Sequence, residues 1–382
     1  MKGLLAAIVF AASVSGAASA AKAPVEIAIL GPDFARNGHD DGIVERADAA
    51  LHRAPHALAE IHIEGVSAGL TRAPGVAVPQ INPNFGVAAS RAALQDMNVM
   101  RDLALAWRLT GRRGYLRQAG RYLDAWSSTY RISFNPVDEG SFDAMILTYD
   151  LTEANLPHST RTRVDAFLRR LAAGYIEAME SGNVPIKPTL TNNWQSHRIK
   201  LATLAAFQIG DRDLQRRAHI LFDKQLSANL RADGSTLDFA QRDALHYVTF
   251  SLDSMLMAAM AAKMHGQNWY TTEVAGGSSL PNTLAWLGRF ASGQATHVEF
   301  AKSVVFYDRQ RAASGNATYQ NKPWDPQTAR RTYLLAAQLD PHFVPLRDSL
   351  LASAHQAHDH EVEPGDDIDW LLLFADGPKA GA

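Results

Sequence analysis

The chain has 382 residues, no cysteine and a formal net charge of −2 at pH 7. Hydrophobic residues make up 47% of it, enough to bury a real core, which excludes a largely disordered protein. The near-zero charge argues against general nucleic-acid binding, because that function needs a basic face to neutralise phosphates.

The first twenty residues, MKGLLAAIVFAASVSGAASA, predict a secretory signal peptide. Lys2 supplies the positive start, residues 4–14 the apolar region and residues 18–20 the small-residue cleavage site. We therefore expect a periplasmic or secreted protein, with one domain over residues 21–375 and a flexible tail over 376–382. No other apolar run is long enough to predict a membrane span.

From about residue 88 onward the apolar pattern is helical almost throughout. Short breakers such as TGRRG, IGD, ADGS and HGQ separate the helices. Only residues 25–30, 60–64 and 297–307 resemble short strands. The spacing 0, 3, 4, 7 of one helix face recurs in Met100, Leu103, Ala104 and Trp107, in Val164, Phe167, Leu168, Leu171 and Ala172, and in Leu252, Met255, Leu256, Ala259 and Met260.

Short loops between consecutive helices favour antiparallel helical neighbours. Such hairpins bury their apolar faces either by stacking as an open solenoid or by closing into a toroid. A solenoid carries repeats of fixed period, and the sequence shows none. We therefore predict an all-α fold, an incomplete or complete α/α toroid, with its funnel-shaped centre as the cleft.

The segment TLTNNWQSHR, residues 189–198, holds more hydrogen-bonding side chains than a helix start requires. One of Thr191, Asn192 and Asn193 suffices as the N-cap. His197 lies four residues after Asn193, so both side chains share one face near the positive end of the helix dipole. The segment is therefore either an ordinary capped helix or part of a site for an anionic group.

Residues 238–256, DFAQRDALHYVTFSLDSML, predict a second helix of interest. Arg242 pairs by spacing with His246 and reaches Tyr247 only if the chain turns between them. Tyr247 shares a face with small residues, which favours a helix that lines a cavity, although a buried tyrosine is the common alternative. The core stripe is predicted at Leu245, Val248, Leu252, Met255 and Ala259, and the small row at Ala244, Ser251, Ser254 and Ala258.

Three acidic or histidine-rich segments are open to more than one interpretation. Asp138, Glu139 and Asp143 are either a hydrolase's carboxylates or charges at a helix that starts near Ser141. The run 308–311, DRQR, is either salt-bridged or lines the cleft. The run 355–367, HQAHDHEVEPGDD, matches no closed set of metal ligands, so we predict no metal.

NNWQSHR followed about 50 residues later by RDALHY resembles the alginate-lyase-like polysaccharide lyases, which include alginate and glucuronan lyases. The resemblance runs from near Asn82 to about Pro341 and includes INPNFG, NPVDEGSFDAMILTYDL and HVEFAKSVVFYDRQR. It implies an α/α toroid that cleaves an anionic polysaccharide by β-elimination. No cofactor is implied, and we expect a monomer.

Two departures from the family pattern bear on the substrate. The alginate lyases usually have Asn-Asn-His where this chain has Asn192, Asn193 and Trp194. They also have an arginine seven residues before the tyrosine, where this chain has Ala240. Both differences shift the expectation from alginate toward glucuronan or another β-linked glucuronate polymer.

The resemblance also suggests roles for single residues. Elimination needs donors that neutralise the uronate carboxylate and a base that removes the C5 proton. Trp194 is either core or a stacking surface for a sugar ring, while Arg198 and Lys200 either attract the polyanion or are solvated surface charges. The implied catalytic residues are Tyr247, as base, with His197, Asn193 and Arg242, and the implied substrate-binding residues are Asn192, Trp194, His246 and Arg198.

Two rival functions remain open at this point. One is a glycoside hydrolase on a similar toroid that uses paired carboxylates among Asp138, Glu139, Asp143 and Asp238. The other is a non-catalytic, periplasmic polyuronate-binding protein. The uronate epimer and the choice between endo and exo cleavage are not encoded in any of these motifs.

Overall fold

The computed structural model describes residues 40–63, 86–185, 189–274, 276, 278–354 and 369–373. Within them the regular structure is helical, with three isolated bridges in place of a sheet. The helices are α1 Asp40–Ala50, α2 Val87–Thr110, α3 Arg113–Thr129, α4 Pro136–Glu139, α5 Phe142–Thr152, α6 His158–Ser181, α7 Asn193–Gln208, α8 Arg212–Asn229, α9 Leu237–Arg242, α10 Leu245–Met264, α11 Leu280–Ala291, α12 Phe306–Ala313, α13 Arg330–Leu339, α14 Val344–Ala354 and α15 Asp369–Leu372.

The helices pack in two layers. α2, α5, α7, α10 and α13 contact one another in that order and form the inner layer. α3, α6 and α8 contact one another and cover the inner helices from outside. Inner helices are covered on nearly every side, and every α7 residue except Trp194 and His197 is buried. This arrangement is the predicted α/α toroid.

Most predicted helices and loops are confirmed. The three predicted apolar faces are buried except for Trp107, which is half-buried. The breakers TGRRG, IGD, ADGS and HGQ fall where α2, α7, α8 and α10 end. The short helix α1 was not predicted. Residues 1–20, 355–367 and 376–382 lie outside the described part of the chain.

Two of the predicted strands are wrong, and the third, at 25–30, lies outside the described residues. In the segment 60–63, backbone N–H groups bond to side chains instead of a neighbouring strand, with Ile63 donating to Asp138 at 2.9 Å. The chain turns within the segment 297–305, and the N–H of Val304 donates to the carbonyl of Gln241 at 2.9 Å. Neither segment has a partner strand among the described residues.

Two properties concern the described residues only. None of their helices combines the length and the apolar character that crossing a bilayer requires. No three of their histidine and acidic side chains converge as a metal-ligand set.

The predicted single helix over 238–256 is two helices, because the backbone reverses at Asp243. Asp243 adopts a left-handed conformation with φ 51° and ψ 47°, which ends α9 at Arg242. Its carbonyl accepts the N–H of Phe300 at 2.7 Å, and its carboxylate accepts the N–H of Lys302 at 2.7 Å. α10 then starts at Leu245, where the carboxylate of Glu299 accepts the first N–H groups.

Asp243→Ala should destabilise the protein by about 1–3 kcal/mol, since alanine tolerates a left-handed backbone poorly and cannot accept the Lys302 bond. Asp243→Asn keeps a side-chain oxygen and favours the same backbone region, so it should change stability much less. Urea unfolding of both variants measures the difference. Equal stability of the two would show that this residue does not hold the turn.

Candidate active site

The half-buried positions on α7 and α10 form two helix faces that meet. On α7 they are Trp194 and His197, and on α10, ahead of its last two residues, they are His246, Phe250 and Asp253. Spacings of three and four residues put each set on one helix face. The Phe250 ring centroid lies 4.3 Å from that of His246 and 6.2 Å from that of His197, so the two faces meet.

The start of α7 shows why TLTNNWQSHR is so polar. Asn192 is the N-cap, and its side chain accepts the N–H of Trp194 at 3.1 Å. The N–H of Asn193 donates to Asp238 at 3.1 Å, and Asn229 donates to the same carboxylate at 2.8 Å. Burial raises the pKa of Asp238 to about 6. The segment thus anchors α7 to α8 and α9.

Asn193 keeps one unused polar atom. The residue is 4% exposed, and its side-chain Oδ1 is buried without a hydrogen-bond partner among the described residues. Buried polar atoms are normally paired, so an orphan of this kind requires an explanation. It lies on the first turn of α7, one turn ahead of His197.

Arg198 and Lys200 are not surface charges, and that interpretation was wrong. Arg198 is fully buried and donates to the carbonyl of Thr189 at 3.0 Å, to its hydroxyl at 2.8 Å and to Gln195 at 3.2 Å. Lys200 is also buried and donates to the Asp143 carboxylate at 2.8 Å. The predicted contact of Arg198 with substrate is therefore corrected too: its donors hold the segment before α7.

His197 is neutral at physiological pH. Burial, followed by the nearby charge of Lys200, lowers the pKa of His197 to about 3. Its Nδ1 lies 3.1 Å from the Ser254 hydroxyl. When Ser254 donates that bond, Nε2 carries the ring proton and His197 becomes a neutral donor toward the cleft. The pKa of His246 is likewise lowered, to about 4, mainly by burial.

The row of small residues on α10 was predicted to line a cavity. It instead packs against α7. The hydroxyls of Ser196 and Ser251 lie 2.8 Å apart, and Ser254 reaches His197. Small side chains let the two helices approach closely enough for these bonds. The half-buried stripe of α10 is instead the one through His246, Phe250 and Asp253.

Tyr247 lies beside this stripe, 5% exposed, beneath a guanidinium. The Cζ of Arg242 is 3.5 Å from the centroid of the Tyr247 ring. The Nε of Arg242 donates to Asp308 at 3.0 Å, and an Nη donates to the other carboxylate oxygen. The chain does turn between Arg242 and Tyr247, so Arg242 stacks on the tyrosine instead of facing the cleft.

The hydroxyl of Tyr247 has a partner that sequence reasoning missed. It lies 3.0 Å from the hydroxyl of Tyr319, which accepts a bond from Arg311 at 2.6 Å. Burial raises the pKa of Tyr247 well above its ordinary value, and the charge of Arg242 opposes this. The run 308–311 is thus a salt-bridged support of the site. Phe250 was also missed, although its position four residues after His246 was a usable signal.

All four candidate hydrolase carboxylates are hydrogen-bonded to other groups of the protein. Asp138, Glu139 and Asp238 are at most 1% exposed, and the Asp143 side chain is 11% exposed. The groups that bond to them are Ile63 and Asn135 for Asp138, Tyr130 and Ser133 for Glu139, Lys200 for Asp143, and Asn193 and Asn229 for Asp238.

The family model described as alginate lyase matches residues 69–297 of the chain. No curated protein matches its sequence. Among solved structures, an alginate lyase from Bacteroides ovatus has 19% identity and a TM-score of 0.59, over 88% of this chain and 92% of that one. Alginate lyase A1-III from Sphingomonas species A1 has 18% identity and a TM-score of 0.51, over 80% and 94%.

A third similar structure is a histidine-to-alanine variant of alginate lyase A1-III complexed with a tetrasaccharide. It has 17% identity and a TM-score of 0.54, over 83% of this chain and 88% of that one. At such identities the likeness establishes the fold.

The low pKa of His197 predicts loss of stability in acid. The folded-state pKa is about 3 and the unfolded value about 6.5, so the contribution is complete above pH 6.5 and falls as the pH drops toward 3. Between pH 7 and 4.5, His197→Gln should lose less unfolding free energy than the unsubstituted protein, by up to about 2 kcal/mol.

Urea unfolding at the two pH values measures this difference. His158→Gln, which removes an exposed imidazole, is the matched control and should follow the unsubstituted protein. If His197→Gln and His158→Gln behave alike, the His197 imidazole is not held neutral by the fold.

Proposed function

The chain belongs to the alginate lyase family and is a polysaccharide lyase, and we propose that it cleaves a β-linked uronate polymer by β-elimination. The proposed substrates are glucuronan and the polymannuronate of alginate, and the products carry 4,5-unsaturated uronate ends. One observation carries the proposal: the half-buried faces of α7 and α10 bring His197, His246 and Phe250 together beside Tyr247, on whose ring Arg242 is stacked.

The reaction sets the requirements for the site. Elimination removes the proton at C5 of a uronate and expels the oxygen at C4. The C5 proton is very weakly acidic, because its loss adds a second negative charge next to the carboxylate. Donors aimed at the carboxylate lower this barrier in the way an oxyanion hole does. A base within hydrogen-bond reach of C5 is also needed.

We assign the carboxylate-neutralising role to Asn193 and His197. Both lie on one face of the first turns of α7, at the positive end of its dipole. A neutral His197 with its proton on Nε2 donates a hydrogen bond without competing for the C5 proton. The side-chain amide of Asn193 has an unsatisfied oxygen, which suits a group that reorients when substrate arrives.

Tyr247 is the proposed base and the proposed acid. In a D-glucuronate or D-mannuronate chain the C5 proton and the C4 oxygen lie on the same face of the sugar, so one group can take the first and protonate the second. The guanidinium of Arg242 lies on the Tyr247 ring and favours its ionised form. We therefore assign Arg242 to Tyr247, as a positioning residue, and not to the substrate.

Substrate binding is assigned to the remaining half-buried groups of the proposed cleft. Trp194 is half-buried and lies outside the hydrophobic core, so its ring is placed to stack on a sugar. His246 borders the same face through Phe250. Asn192 is half-buried, and its side-chain oxygen already caps α7, which leaves its NH₂ as the donor for a saccharide hydroxyl.

The hydrolase alternative finds no support in this geometry. Inverting and retaining glycosidases both need two carboxyl groups that face the scissile bond. The candidate carboxylates of this chain are instead committed to backbone, tyrosine, asparagine or lysine partners.

Export to the periplasm or beyond and a monomeric state complete the proposal. Export is supported by the pattern of residues 1–20, with cleavage after Ala20. The N-terminal sequence and the native mass of the exported protein test both points.

Tyr247→Phe should abolish the ultraviolet absorbance that elimination creates at the new C4=C5 bond. We expect the unsubstituted protein to raise this absorbance on glucuronan or polymannuronate, and not on polyguluronate or hyaluronan. Removal of an acid–base group typically costs about 10²–10⁴-fold in rate. Tyr333→Phe is the matched control, because it removes a buried hydroxyl bonded to the carbonyl of Leu284, away from the cleft.

If reducing ends appear without ultraviolet absorbance, the reaction is hydrolysis and not elimination. Saturable binding of a polyuronate without chain shortening would support the non-catalytic alternative. Equal losses of activity in Tyr247→Phe and Tyr333→Phe would remove the assignment of Tyr247 as the base but would not contradict the lyase function.

A further inference from the structure

The hydroxyl of Tyr247 is hydrogen-bonded to the hydroxyl of a second tyrosine. Tyr319, 72 residues later in the chain, places its hydroxyl 3.0 Å away and is 8% exposed. Phe300 packs against both rings, with centroid distances of 6.1 Å to Tyr247 and 5.2 Å to Tyr319. The two hydroxyls therefore meet in a small apolar cluster, where a shared proton is shielded from water.

Arg311 fixes the direction of one of the two hydrogen bonds at Tyr319, and either phenol can donate in the other. A guanidinium only donates, so the bond of 2.6 Å from its Nη1 makes the oxygen of Tyr319 an acceptor. The Cζ of Arg311 also lies 4.8 Å from the centroid of the Tyr319 ring. This cation favours negative charge on the Tyr319 oxygen.

The cation next to Tyr247 is placed differently. Arg242 covers the ring face of Tyr247, and both of its bonded nitrogens donate to Asp308. Arg242 therefore contacts the ring of Tyr247, while the Tyr247 hydroxyl is hydrogen-bonded to Tyr319. When the pair of phenols loses one proton, the direct charge-assisted bond from Arg311 favours the charge on Tyr319.

We propose that Tyr319 is a positioning residue that exchanges one proton with Tyr247 during elimination, with Arg311 stabilising the negative charge that Tyr319 carries before the exchange. The inference rests on the proposed lyase function. The pair enters the reaction with one proton removed, so that Tyr247 is a neutral phenol and Tyr319 a phenolate beside Arg311. As the C5–H bond breaks, its proton passes to the Tyr247 oxygen while the proton of Tyr247 passes to the phenolate oxygen of Tyr319. As the C4–O bond breaks, Tyr247 protonates the leaving oxygen and regains a proton from Tyr319. The C5 proton equivalent ends on the C4 oxygen, and both phenols return to their starting states.

Other charged groups face this pair from the neighbouring elements. Asp308 lies with Arg311 on α12, Arg242 ends α9, and His246 precedes Tyr247 on α10. Burial and the charge of Arg242 keep the pKa of His246 at about 4, so His246 does not titrate where a phenol pair does. The charged or titratable groups around the pair are Arg242, His246, Glu299, Asp308, Arg311 and Lys322.

The test is the pH dependence of kcat in Tyr319→Phe, followed by ultraviolet absorbance on the polymer that the unsubstituted protein cleaves. We expect kcat to fall about tenfold or more near pH 7. The limb of the pH profile on which kcat rises as the base ionises should move to higher pH by about one unit or more, with KM changed less than about threefold. Tyr333→Phe, a buried tyrosine away from the site, should leave the profile unchanged.

Arg311→Gln is the second variant, and it keeps Tyr319 in place if Tyr319→Phe folds poorly. In this variant the rising limb of kcat should also move to higher pH, because the charge that favours ionisation of the pair is gone. A loss of kcat without any displacement of the limb in both variants would overturn the proposal and leave Tyr319 as packing. Unchanged kcat in Tyr319→Phe would overturn it as well.

These outcomes are separate from failure of the proposed function. If Tyr247→Phe keeps its activity, the assignment of the base is wrong whatever Tyr319→Phe does. If Tyr247→Phe is inactive and the Tyr319→Phe profile is unchanged, the lyase proposal stands and only the proton exchange is rejected.

Discussion

The left-handed turn at Asp243 is the constraint on which the site depends. In an unbroken helix, Arg242 and Tyr247 would be five residues apart and about 140° apart around the axis. The turn lets the guanidinium cover the tyrosine ring instead, 3.5 Å from its centroid. It also fixes the segment that follows residue 297, because Phe300 and Lys302 donate their N–H groups to Asp243. That segment leads directly into α12, which supplies Asp308 and Arg311.

Electrostatic neutrality is the second organising property of the site. Lys200 is paired with Asp143 and Arg242 with Asp308, both largely shielded from solvent. His197 and His246 are held uncharged by burial. Around the two imidazoles the helices therefore present neutral groups and charge-compensated cations, with the exposed Lys322 acting on His246 from outside. Preorganised neutral donors act on charge that develops in a reaction more than on charge already present.

The helical architecture could be predicted from the sequence, because apolar periodicity and short breakers are local signals. The faces at Val164–Ala172 and Leu252–Met260 are buried as predicted, and Asn192 is a cap. Burial around an inner helix is not local, so Arg198 resembled a surface charge although three acceptors surround it. The small row on α10 indicated a cavity, whereas it marks the contact with α7. Tyr319 joins the site from 72 residues away, and no spacing rule reaches that far.

The burial of α7 has a consequence for how relatives of this protein diverge. Fourteen of its sixteen positions are fixed by packing or by buried hydrogen bonds, and substitutions there cost stability. Trp194 and His197 are the two half-buried positions, and of these His197 is hydrogen-bonded to Ser254. Variation on this helix is therefore tolerated best at position 194, while the other positions hold the fold or the proposed site.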